Sequence, residues 1–109
     1  DIAAVSFNVA EYDSYSYGGW VRAEGTSAAT PLLASAFALA GNVTKHYTGE
    51  LFWTLPKKQL KKDLHVIGSG SNGCPASLQG SYLCTAGTGQ FGTYSGPTGW
   101  GTPNGIGAF

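Results

Sequence analysis

The chain has 109 residues and 42% hydrophobic positions. That is enough for one core, since a domain near this size hides roughly two thirds of its unfolded surface. Six basic and six acidic residues cancel, and with only 11% of positions charged there is no electrostatic footprint for nucleic acid. The longest apolar run falls well short of the ~20 residues that cross a bilayer, so no membrane insertion is expected.

Asp1-Ile2-Ala3-Ala4-Val5 enters strand-like sequence directly, without an initiator Met or a charged and apolar leader. A preceding segment, removed or carried on another chain, is therefore expected. Ile2 to Phe7 reads as a buried strand and Val9 to Tyr12 as the start of a second. Ser14 to Gly19 has turn composition and Trp20 to Ala23 resumes the extended pattern, which together predict a hairpin-like excursion leading to Gly25. Tyr12, Tyr15 and Tyr17 read as packing and loop residues rather than a substrate platform.

The stretch Gly25-Thr26-Ser27-Ala28-Ala29-Thr30-Pro31 opens an apolar run from Ala28 to Ala40 that has no polar stripe. This predicts a helix buried on every side, stopped by Gly41-Asn42. Ser27 then lies at the helix mouth, where unpaired amides and the positive dipole end favour negative charge. Two readings follow. Ser27 is either an N-cap or a nucleophile whose attack on a carbonyl makes an oxyanion. Pro31 favours the second, because it leaves the Ser27 carbonyl without its helical partner.

Lys45 to Leu55 mixes aromatic and polar residues without a clear period, and His65-Val66-Ile67 reads as a short strand. Between them Pro56 precedes a lysine-rich helix to about Leu64, with Leu60 and Leu64 inward and Lys57, Lys58, Lys61 and Lys62 as its solvated face. From Gly68 onward glycine, serine, threonine and proline alternate with recurring aromatics, the composition of ordered loops. Asn42-Val43-Thr44 is a glycosylation acceptor pattern. Cys74 and Cys84 lie in a Gly/Ser/Asn-rich region on either side of Pro75 to Leu83 and read as a disulfide, worth about 2–3 kcal/mol and implying an oxidising compartment. His46 and His65 form no zinc set with them.

Gly25-Thr26-Ser27-x-Ala29-x-Pro31 resembles the nucleophile motif shared by subtilisins and sedolisins. Gly19 to Glu24, Gly70-Ser71-Asn72-Gly73-Cys74, Leu83 to Gly89 and the ending Gly96-Pro97-Thr98-Gly99-Trp100-Gly101-Thr102-Pro103-Asn104-Gly105 are similar to the sedolisin branch, in the same order. The resemblance implies the C-terminal portion of a subtilisin-like α/β three-layer sandwich with a largely parallel sheet. Residues 1–67 would form its strand, hairpin and nucleophile-helix region, and residues 68–109 its Gly-rich disulfide-containing loops. It further implies a secreted serine-carboxyl endopeptidase with Ser27 as nucleophile, supported by Gly25, Thr26 and Pro31. The catalytic Glu and Asp would come from a preceding segment or chain, the partner of this one.

Of the carboxylates present, Asp1, Glu11, Asp13, Glu24 and Glu50, none lies in a triad pattern; His46 and His65 follow Ser27, the wrong order for a subtilisin base. A glutamate base implies an acidic optimum. The family also carries a calcium site. Here His65 or Val66 stands at the first aspartate's place unless Asp63 reaches it, and Gln90-Phe91 at the second, so no metal or other cofactor is assigned and the site reads as lost or remodelled. Glu24 replaces the family's glycine and is read as pointing to solvent. The missing aspartates motivate a second reading, a degenerate peptidase scaffold used for binding or adhesion. A third is a freestanding disulfide-stapled binding domain.

Overall fold

The computed structural model describes residues 1–41, 48–88 and 94–109. Strands β1 (Val9–Asp13) and β2 (Gly19–Ala23) form an antiparallel hairpin in which Val9 pairs with Ala23 and Asp13 with Gly19. The Asp13 carboxylate closes the turn by accepting the Tyr15 and Ser16 amides, each at 2.8 Å. Cross-strand neighbours Tyr12 and Trp20 meet edge-to-face at 5.4 Å on the outer face. Tyr15, 97% exposed, lies in the connecting turn as a loop residue.

Helix α1 (Thr26–Ala40) follows, ending at Gly41 in the left-handed conformation. Then come α2 (Thr48–Thr54), α3 (Lys57–Asp63), β3 (Leu64–His65), a single 3-10 turn at Ala76–Leu78, and β4 (Thr102–Pro103). β3 and β4 pair antiparallel, Leu64 opposite Pro103. The lysines of α3 are exposed while Leu60 and Leu64 are buried, as their spacing predicts.

Three expectations are corrected. The chain does not form a largely parallel three-layer sandwich: among the described residues there are three α-helices and two antiparallel sheets of two strands each. A parallel sheet needs crossover connections between neighbouring strands. Here β1 and β2 are joined by a tight turn, and β3 and β4 meet only at two residues apiece. Ile2 to Phe7 is not a strand, because only Ile2 makes a bridge, to Gly99, although Trp100 N donates to Asp1 O at 2.9 Å and Ala3 N to Gly101 O at 2.8 Å. Gly99 permits that approach, since a Cβ there would run into the Asp1 carbonyl.

The third correction concerns α1, which is apolar on every face yet covered on one. Leu33, Ala36, Phe37 and Ala40, at helical spacing, pack on a core of Phe52, Leu60, Leu64, Trp100, Ala108 and Phe109. Leu39 on another face is 74% exposed. Phe37, Phe52 and Phe109 form a triangle of edge-to-face rings with centroids 4.9–6.1 Å apart. The whole is a plate of 45 × 40 × 20 Å.

Candidate functional site

Gly25 is the cap residue of α1, and its backbone, φ 85 and ψ −175, lies in a region that only glycine adopts readily. Its amide donates to Ser6 O at 2.6 Å, which anchors the helix start to the chain leading into the hairpin. A Cβ at Gly25 would meet open space, so the requirement for glycine is conformational, not steric crowding. No side chain caps the helix. The N-cap reading of Ser27 is thereby corrected: Ser27 is the second residue inside α1, and its exposed hydroxyl makes no hydrogen bond among the described residues.

Thr26 and Ser27 stand at the two helical positions whose amides have no carbonyl to reach, while Ala28 N already donates to Gly25 O at 3.0 Å. Two donors at a positive dipole end are thus available beside the Ser27 hydroxyl. Pro31 lies inside α1 and supplies no amide to the Ser27 carbonyl. Its own carbonyl accepts a hydrogen bond from Ser35 Oγ at 2.8 Å.

Ser27 opens onto a groove of about 210 Å³ between the hairpin and α1, walled by Val9, Ala10, Ala23, Ala28, Pro31 and Leu32. Glu11 and Ser35 complete its lining. Register explains the arrangement. Val9, Glu11 and Asp13 share one face of the hairpin with Ala23 and Val21, whereas Ala10, Tyr12, Trp20 and Arg22 share the other, although Ala10 also borders the groove. Sequence reasoning counted Glu11 among the available carboxylates without placing it; the period-2 pattern of β1 was the signal that sets it on the groove face.

Elsewhere the expected groups scatter. Glu24 points to solvent, as expected, where it meets Arg22 Nε at 3.1 Å. Asp63 is buried at the end of α3 with its carboxylate against Gly107, and Lys62 Nζ lies 3.9 Å away. His65 sits in β3. Among the described residues no three His, Cys, Asp or Glu side chains converge. His46, the Asn42 acceptor pattern and Gln90-Phe91 lie outside the described residues. Cys74 and Cys84 form a disulfide, and Cys84 is fully buried.

A second polar constellation was missed in the sequence. Trp53 Nε1 and Tyr94 OH donate to Asp1 Oδ1 at 3.0 and 3.3 Å, beside an aromatic group in which Tyr94 meets Trp53, Trp100 and Tyr82. Burial, then the neighbouring Tyr82 phenol, raises the Tyr94 pKa above its ordinary value. Separations of 52 and 93 residues leave no local pattern to read.

Compared with protein-family models, curated proteins and solved structures, the chain finds no match in any of the three. No helix among the described residues is long and apolar enough to cross a membrane.

Proposed function

We propose that this chain carries the nucleophile, Ser27, of a secreted serine endopeptidase of the sedolisin kind, acting on peptide substrates at acidic pH. One observation carries the reading: an exposed, unbonded serine hydroxyl stands at the second position of a 15-residue helix whose start is set by a glycine-only backbone conformation. A capping serine would be tied to the backbone amides. A nucleophile needs its oxygen free and donors beside it.

In the proposed reaction Ser27 Oγ bonds to the scissile carbonyl carbon and its proton passes to a carboxylate base. The oxyanion then collapses, expelling the amine with that proton and leaving an acyl-serine that water hydrolyses by the same route. The base and its orienting aspartate are assigned to a preceding segment or a separate chain, the partner of this one. No cofactor is assigned to these steps.

The partner assignment draws support from surface area. The chain exposes 7141 Å², against about 5,700 Å² for a compact monomer of its 11.3 kDa mass. Its radius of gyration is 15.6 Å, where about 13 Å is typical of this length. The excess exceeds the roughly 800 Å² per partner of a standard stable interface. The disulfide suits an oxidising compartment and supports secretion.

The test is cleavage of an unfolded protein by the complete assembly from acidic to neutral pH. Activity that peaks at acidic pH and disappears in Ser27→Ala is expected. Undiminished cleavage by Ser27→Ala defeats the assignment, and no cleavage by the wild type favours the binding-scaffold reading.

A further inference from the structure

We infer that the groove beside Ser27 accepts a lysine or arginine side chain of a bound peptide, with the Glu11 carboxylate as its counter-charge. The inference rests on the Ser27 reading for the identity of the ligand as a substrate. Its physical basis is the composition of the groove itself. Six of its lining residues are aliphatic or proline, and Glu11 is the only charged one. Such a surface suits a side chain with an apolar stem and a cationic head, because the stem covers the walls while the head meets the carboxylate.

The neighbouring charges are already engaged. Asp13 holds the turn amides, and Arg22 is paired with Glu24 on the opposite face of the hairpin. The Glu11 carboxylate, on the groove face, makes neither a hydrogen bond nor an ion pair among the described residues. An acidic head in the groove would meet like charge, and an apolar one would leave the carboxylate beside it unused. Ser27 shares the lining, so the basic residue would flank the bond that the serine attacks.

The experiment measures binding without turnover. The full chain carrying Ser27→Ala is titrated with a labelled, end-blocked pentapeptide, Ala-Ala-Lys-Ala-Ala, and with the same peptide bearing norleucine in place of lysine. The lysine peptide is expected to bind roughly fivefold more tightly at low salt, the upper range for an exposed ion pair. The advantage should shrink as salt screens it. Glu11→Gln should bring the lysine peptide to the level of the norleucine peptide, and Glu11→Lys should reverse the order. Equal binding by the two peptides, no binding by either, or a lysine preference that survives Glu11→Gln overturns the inference. Because Ser27→Ala performs no acyl chemistry, an inert serine in the cleavage assay would not alter this result. Loss of the preference would likewise leave the nucleophile assignment standing.

Discussion

Phe52→Ala should strongly destabilise this fold. The ring is 2% exposed and meets Phe37 and Phe109 edge-to-face at 6.1 and 5.6 Å. Truncating a buried phenylalanine costs about 3–5 kcal/mol, and two lost aromatic pairs place this site toward the upper end. Against a total of about 5–15 kcal/mol for a domain, that is a third or more of the stability. At roughly 4 °C per kcal/mol for a chain of this size, the melting temperature falls on the order of 15 °C. The control is Leu39→Ala on the same chain. Leu39 is 74% exposed, so its loss is worth no more than about 0.5 kcal/mol. Thermal melts followed by near-ultraviolet circular dichroism give both numbers. A Phe52→Ala cost under about 1 kcal/mol, or a Leu39→Ala cost equal to it, would refute the placement of the core on one face of α1.

Further outcomes follow from individual features. Gly25→Ala should destabilise by about 1–3 kcal/mol in urea titrations despite the open space around it, because the cost lies in the backbone conformation. Pro31→Ala restores a donor to the Ser27 carbonyl and should stabilise by about 1 kcal/mol or more, read as a rise in melting temperature. Replacing Cys74 and Cys84 together by serine opens a loop with a sequence separation of 10. It should cost about 2–3 kcal/mol in denaturant titrations. Finally, the raised pKa of Tyr94 means that folding favours its neutral phenol. That contribution is complete below the unfolded tyrosine value of about 10 and is lost as pH rises through the higher folded value. Ultraviolet titration of wild type against Tyr94→Phe should show one phenol ionising late.

Local rules made the elements around Ser27 legible. Extended patterns on either side of a turn-rich stretch identified β1 and β2, a glycine and an apolar run located α1 within two residues of its start, and paired leucines fixed the buried side of α3. Two cysteines ten apart in a Gly/Ser/Asn-rich region gave the disulfide. What failed depended on partners distant in sequence. α1 is apolar all round, and composition cannot tell a helix covered on all sides from one covered on a single face. Ile2 to Phe7 has strand composition but finds a pairing partner only at Gly99. α2 escaped notice because its buried residues, Leu51 and Phe52, are adjacent and show no helical period. The candidate site divides the same way. Ser27 announces itself through its neighbours, whereas the position of Glu11 on the groove needed the hairpin register.

Phe37 of α1 lies edge-to-face on Phe109 at 4.9 Å, and Asp1 to Ala3 are held by residues 99–101. During synthesis the chain grows from its amino end at about 5–20 residues per second. The hairpin and α1 can assemble locally as they emerge, but the ring triangle stays open until residue 109 has left the ribosome. The helix bearing Ser27 can therefore meet Phe52 early, while its contact with Phe109, 57 residues further on, waits several seconds more.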